Sequence, residues 1–324
     1  MVEKPTAIQD KNAIAMIGNI PRSGDDEAIR LCLRFAKAKI DEGKALVAKE
    51  ACDHAASRTN SEGEVFFLRS RANLRLSQYP EALRDIERDL KLRPTNPDSH
   101  RLHGDVLQWM GSYADSIMSY DSCLKIESNN VRALIGRGNA NYAISNWQNA
   151  LNDFYAVRAS GYVSATFFLR IAEAELKVGA FEKALECCNE SIGLDRNNGD
   201  AFWLRAKAHL KLTAFDNALT DVSIDLKLRP ENPETHALHG DILGWQEQED
   251  LAISAYCKGL NLDPNNQRAL SGRGNCYYNL ERWNDALSDF RHLVELGWKP
   301  ADLLETIEEL ESRVSDMENH EGQG

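Results

Sequence analysis

The chain has 324 residues, 43% apolar and 27% charged, with a formal net charge of −12 from 38 Lys and Arg against 50 Asp and Glu. That balance is globular rather than disordered, and its acidity argues against nucleic acid, whose binding rests on Lys and Arg neutralising phosphates. No stretch approaches the ~20 apolar residues that span a bilayer, and the opening MVEKPTAIQDKNAIAMIGNIP lacks an apolar core of signal type, so no membrane insertion and a cytoplasmic (or nuclear) location are expected.

Residues 1–28 are too short and mixed for a domain; they read as a partly disordered extension or short helix, in which Ala13–Ile17 could pack on the first repeat. From Ile29 the chain repeats itself. YPEAL at Tyr79, YADSI at Tyr113, WQNAL at Trp147, FEKAL at Phe181, FDNAL at Phe215 and WNDAL at Trp283 fall on one constant spacing, with a diverged copy, EDLAI, at Glu249 between the last two. Eight copies result, at 29–62, 63–96, 97–130, 131–164, 165–198, 199–232, 233–266 and 267–300, without insertion or deletion; the first is the weakest. A length that suits two domains thus reads as one continuous array. After it, 301–316 is expected to form an amphipathic capping helix with Leu303, Leu304, Ile307, Leu310 and Val314 on one face. Residues 317–324 are expected to be a disordered acidic tail.

Columns of the repeat carry physical constraints. The eighth position reads Ala36, Ser70, Gly104, Gly138, Ala172, Ala206, Gly240, Gly274, and the twentieth Ala48, Ala82, Ser116, Ala150, Ala184, Ala218, Ala252, Ala286. Small side chains in both columns predict two helices in close approach, where a larger group would overpack. The twenty-fourth column, Cys52, Ile86, Tyr120, Phe154, Cys188, Val222, Tyr256, Phe290, supplies the apolar filler. Apolar residues such as Leu83, Ile86 and Leu90 recur at helical spacing. Asn, Asp and Pro in RPTNP, RNN, RPENP and DPNN punctuate the copies. A longer period is superposed: Asp89–Leu107 nearly recurs at Asp225–Leu243, and Arg132–Tyr142 at Arg268–Tyr278, both four repeats further on. The chain therefore reads as a duplicated block of four repeats.

Small, aromatic and Pro columns in this order at this period resemble the tetratricopeptide repeat (TPR) over Ile29–Pro300. The resemblance implies an all-α fold, a right-handed superhelix (α-solenoid) of helix-turn-helix pairs. The first helix of each pair would line a concave groove that binds a peptide segment or partner protein, without catalysis. Lys39, Asn73 and Glu175 depart from the family's aromatic eleventh residue, at a cost in local packing.

Other chemistry is weakly supported. The doubled HxxHGD at His100/His103/Asp105 and His236/His239/Asp241 is the one pattern with metal-ligand character, but HExxH is absent and the histidine columns face neighbouring helices in this family. GRGN at Gly136–Asn139 and Gly272–Asn275 lies inside a predicted helix with no preceding strand and no GK[ST]. Seven cysteines without CxxC or zinc spacing read as small apolar fillers in a reducing compartment. No cofactor and no metal are expected. The family's carboxylate clamp for acidic Hsp70/Hsp90 C-termini is incomplete: beside Asn139, Ile135 holds the Lys position and Arg170 the following Asn position, while Asn275 is accompanied by Ser271. A co-chaperone of that kind is the alternative reading, as is a structural subunit of a larger complex.

The family's groove positions yield the candidate partner contacts: Arg71, Arg75, Arg101, Trp109, Arg132, Asn139 and Tyr142 in the first half, and Arg170, Trp203, Lys207, Lys211, Trp245, Arg268, Asn275 and Tyr278 in the second. Cations outnumber acids at these positions, which points to an acidic or mixed-charge segment anchored by aromatics. From Ala301 onward stand eight acids and one Arg, so much of the net charge lies in the cap and tail, where it could compete for the groove.

Overall fold

The computed structural model describes residues 25–321, together with Asn12 and Ala15; the remainder of Ala13–Ile17 and of the N-terminal extension lies outside the described residues. Seventeen helices and no strand are found among the described residues. Contacts divide the chain into two compact units, one ending at Tyr162 and the other beginning at Val163, a division that falls at the seam between the two four-repeat blocks. The first unit comprises α1 (Asp25–Asp41), α2 (Ala45–Ala56), α3 (Gly63–Arg75), α4 (Tyr79–Leu92), α5 (Pro97–Trp109), α6 (Tyr113–Ile126), α7 (Val131–Ala143) and α8 (Trp147–Ala159). The second comprises α9 (Ala165–Val178), α10 (Phe181–Leu194), α11 (Gly199–Lys211), α12 (Phe215–Leu228), α13 (Pro233–Trp245), α14 (Glu249–Leu262), α15 (Gln267–Asn279), α16 (Trp283–Glu295) and α17 (Ala301–Glu321).

The turn inside each repeat is built the same way eight times. Residues Gly43, Ser77, Gly111, Ser145, Gly179, Thr213, Glu247 and Glu281, one per repeat at the fifteenth position, all have positive φ and end the first helix. Between repeats, Asn96, Asn130, Asn198, Asn232 and Asn266 accept from the second or third amide of the following helix at 2.9–3.1 Å. The Asn punctuation is thus a set of N-caps, each satisfying an amide that the helix itself leaves without a partner.

Within each unit every helix packs on the next in sequence. In the first unit α1, α3, α5 and α7 also pack on one another in succession, as do α9, α11, α13 and α15 in the second. The second helices of neighbouring repeats show no comparable packing among the described residues. A layer of first helices that is tighter than the layer of second helices makes the first-helix side of each unit concave.

The small columns sit at the helix crossings, with the twentieth-position side chains all fully buried. A Cβ on Gly104 would lie 2.7 Å from the Tyr120 ring and one on Gly138 2.6 Å from Phe154; Gly240 and Gly274 stand in the same relation to Tyr256 and Phe290, at 2.5 Å. In GRGN, Gly136 and Gly272 make room for Tyr120 and Tyr256 of the preceding repeat, so the motif serves packing. The recurring DLKLRP has a polar counterpart to this: the fully buried Asp225 accepts from Arg229 at 2.7 Å and Thr235 at 2.6 Å, and Asp89 accepts from Arg93 at 2.6 Å and from Ser99. A second ladder recurs at every other repeat. Arg69, Arg137, Arg205 and Arg273 on first helices each grip Asp85, Asp153, Asp221 and Asp289 on second helices through two bonds of 2.6–2.9 Å.

Two local expectations change. The last helix runs to Glu321 rather than ending at 316, because neither Pro nor Gly interrupts the chain between Ala301 and Glu321. Leu303, Ile307 and Leu310 are its buried stripe, whereas Leu304 is exposed, one residue off the three-to-four spacing. At the eleventh position, polar pairing replaces the missing aromatic: buried Asn73 donates to Asp85 at 3.0 Å, and Lys39 pairs with Glu42 at 2.9 Å beside the Phe35 ring.

Candidate partner-binding grooves

All fifteen candidate residues lie on first helices: α3, α5 and α7 in the first unit, α9, α11, α13 and α15 in the second. On the first unit's concave side, Arg71, Arg101 and Arg132 come together around a cleft of about 260 Å³ that Lys37, Glu64, Phe67, Leu68, Arg93, Asn96 and Asp98 complete. Arg101 bonds to Asp105 at 2.5 Å, and Asp105 also accepts from the Tyr120 hydroxyl at 2.8 Å. The buried Tyr120 ring therefore passes between the helices and presents its hydroxyl at the groove floor. Burial pushes its ionisation up, with Asp105 acting in the same direction.

Arg71 has a different environment. It is half-buried, and its guanidinium lies 5.9 Å from the Phe67 centroid. Burial holds its pKa below the ordinary guanidinium value, and Arg75, Arg101 and Arg132 push the same way, while the Asp41 carboxylate opposes them. Arg75 is not a free groove cation, since it donates to the Ile40 carbonyl. Trp109 is 68% exposed and stacks on Tyr79, with centroids 6.4 Å apart and planes at 7°. Asn139 is partly buried, and Tyr142 meets Trp147 edge-on at 5.0 Å.

In the second unit, Trp245, Arg268 and Asn275 line a cleft of about 710 Å³ together with Asp241, Glu249, Ser271, Cys276, Asn279 and Trp298. Trp245, the counterpart of Trp109 four repeats on, is 70% exposed. Arg268 is held by Asp241 at 2.5 Å, and Asp241 accepts from the Tyr256 hydroxyl at 2.7 Å. Glu249 accepts from Asn279 at 2.7 Å, and the Cys276 thiol is pushed up to about 12 by burial and by Glu249. Trp203 is half-buried beneath Lys207, whose ammonium lies 4.2 Å from the ring, and burial lowers the Lys207 pKa, as do Arg268 and Lys177. Arg170 and Lys211 are exposed. Tyr278 donates to Glu309 of α17 at 3.2 Å, so the cap helix takes up its hydroxyl.

The two clefts, which lie at different repeats of their units, differ in the charges that line them, whereas the groove positions taken together carry more cations than acids. Five cations and two carboxylates line the first cleft, against one guanidinium and two carboxylates in the second. Sequence reasoning missed Arg93, Glu249 and Trp298. Arg93 and Trp298 stand in segments between repeats, outside the groove columns. Glu249 had a signal: it is the one acid in the Tyr/Trp/Phe column that opens the second helix.

The HxxHGD residues do not converge. His100 and His236 bond to the carbonyls of Pro94 and Pro230, His103 pairs with Ser119, and the Asp residues face their arginines and tyrosines. All seven cysteines are free thiols, and all but Cys257 are buried. No helix among the described residues is long and apolar enough to cross a membrane.

No protein-family model matches the sequence. A stretch of 64 residues is 41% identical to the mouse peptidyl-prolyl cis-trans isomerase FKBP4, covering 20% of this chain but only 14% of that protein. The BBSome complex member BBS4 homolog of Drosophila melanogaster is 21% identical over 315 residues, 92% of this chain and 62% of the fly protein. The crystal structure of a tetratricopeptide repeat protein from Parabacteroides merdae superposes with a TM-score of 0.62 at 14% identity, over 76% of this chain and 98% of that one. Repeat, helix pairs and structural likeness agree: this chain has the all-α TPR fold.

Proposed function

We propose that the chain is a non-catalytic interaction scaffold whose concave grooves hold extended segments of partner proteins. The observation that carries this is the placement of Trp109 and Trp245, two tryptophans 68% and 70% exposed at equivalent positions of the duplicated block. A large aromatic surface left in water gains free energy when a partner covers it, and Trp and Arg dominate binding hot spots. Trp245 lines a cleft with Arg268, Asp241 and Glu249, charged groups that can fix the register of a bound segment.

Affinity purification from the native source, comparing the unaltered chain with Trp109→Ala and Trp245→Ala, tests this. The expected outcome is loss of the principal partner from at least one variant, with folding intact by circular dichroism. An unchanged partner set in the double variant would overturn it. The extended match to a BBSome complex member favours a second reading, a fixed subunit of a multiprotein assembly. Native-extract gel filtration separates the two: a fixed subunit elutes wholly at the mass of the assembly, whereas an adaptor shows a free pool.

A further inference from the structure

One carboxylate in the second unit's cleft has no cation to answer it. Asp241 and Glu249 are the acids that line this cleft, and Arg268 is its one cation. Arg268 pairs with Asp241 at 2.5 Å, and Asp241 also accepts from the Tyr256 hydroxyl, so that pair is satisfied. Glu249 is left with neutral donors. Its Oε1 accepts from Asn279 at 2.7 Å and the Cys276 thiol interacts with the carboxylate, while Oε2 is buried with no hydrogen-bond partner among the described residues. Burial, Glu249 and Asp241 all push the Cys276 thiol up, and no cation among the described residues opposes them. The nearby guanidiniums of Arg273 and Arg282 are bonded to Asp289 and Asp285, and Lys258 and Lys299 are exposed outside the lining. A carboxylate oxygen taken from water without a partner is costly in the free protein.

The duplication shows what is particular to this cleft. Four repeats earlier, Asp105, Trp109 and Arg132 stand where the second block has Asp241, Trp245 and Arg268. Around that shared frame other residues change. Gln108, which accepts from the Tyr120 hydroxyl at 2.9 Å, gives way to Gly244, and the partly buried Tyr113 gives way to Glu249. Ala140 and Ala143 become Cys276 and Asn279, the two residues that meet the Glu249 carboxylate. The repeat therefore folds with an aromatic where Glu249 stands. Nor does the positive end of α14 need this acid: Asp250 lies in the same first turn, and Asp115 alone serves the first turn of α6.

We infer that this cleft receives a basic side chain, Arg or Lys, of the partner segment, an inference that rests on the groove-binding reading above. The Trp245 and Trp298 rings, 70% and 40% exposed, line the same cleft as Glu249. A cation is drawn both to an indole face and to a carboxylate in a partly desolvated site. A neutral side chain would gain the indole contact and leave Glu249 unanswered, and an acidic one would add repulsion. At about 710 Å³ the cleft has room for a long side chain.

The test is fluorescence anisotropy of the full chain with four labelled peptide libraries of uncharged degenerate flanks around a fixed arginine, lysine, citrulline or glutamate. Near-physiological salt screens the field of the acidic chain as a whole. The arginine or the lysine library is expected to bind about tenfold more tightly than citrulline, the neutral isostere of arginine, with glutamate weakest. The tighter of the two identifies the cation. Glu249→Gln should remove most of that preference, while Asp250→Asn, which removes the same charge one residue on, retains it. Gly244→Gln, which places a side chain like that of Gln108 in the cleft, should also abolish it. A Cβ at Gly244 meets only the Cys276 sulfur, at 3.8 Å, so this variant has room to fold. Equal binding of arginine, lysine and citrulline overturns the cation site; if Trp245→Ala then weakens all alike, the groove reading stands without it. A preference that survives Glu249→Gln or Gly244→Gln, or that falls equally in Asp250→Asn, also overturns it, in favour of the acidic surface at large. If no library binds, the cation site falls, and the groove reading is decided by the tryptophan variants in the native purification.

Discussion

Gly138 and Phe154 show how single residues set the helix crossing. Wherever the eighth position is Gly, the twenty-fourth is aromatic (Tyr120, Phe154, Tyr256, Phe290); where it is Ala or Ser, the partner is Cys, Ile or Val. The pair conserves volume, as close-packed interiors demand. Adding a methyl group at Gly138 gains up to about 1 kcal/mol in helix propensity but overpacks the contact at about 1–3 kcal/mol. Gly138→Ala should therefore lower the melting temperature, and a compensating Phe154→Val should recover part of the loss. Gly193→Ala, with no atom within 4 Å of the added carbon, is the control and should not destabilise. The small columns made these crossings legible in the sequence. The Arg–Asp clamps were not read, although Arg137 and Asp153 are only 16 residues apart, because their pairing depends on which helix faces meet.

Among the elements, the intra-repeat turn demands a left-handed residue that only three of the eight repeats fill with Gly. Thr213, with φ of 56°, is the least suited, since a β-branched side chain crowds the backbone there. A non-Gly residue in this region costs about 1–2 kcal/mol, while Gly loses about 0.5–1 kcal/mol more conformational entropy on ordering. Thr213→Gly should therefore stabilise the chain by up to about 1 kcal/mol, raising the thermal midpoint by a few degrees. A fall would show that the Thr213 side chain contributes contacts that outweigh its backbone conformation. The Asn caps and the period itself were readable from punctuation. The length of α17 was not, because its acidic second half lacks an apolar stripe and the sequence holds no stop before Gly322.

Across the molecule, the net charge of −12 hides opposed local fields. Acids concentrated in α17 and the tail mask a cationic cleft in the first unit, while the second unit's cleft is aromatic and slightly acidic. Family positions named the groove cations, but only the structure separates those held by a direct hydrogen bond or ion pair, Arg75, Arg101 and Arg268, from Arg71, whose guanidinium rests against the Phe67 ring. That separation needs distances between helices that no single repeat encodes. Everything proposed for function depends on partners binding the concave side of the repeats. A photo-crosslinking amino acid placed at Trp109 or Trp245, and in separate variants at the exposed second-helix residues Arg84 and Lys258, probes this in the native source. Concave-side binding predicts partner adducts from positions 109 and 245 and none from 84 and 258; adducts confined to the second-helix positions, or equal at all four, would contradict it.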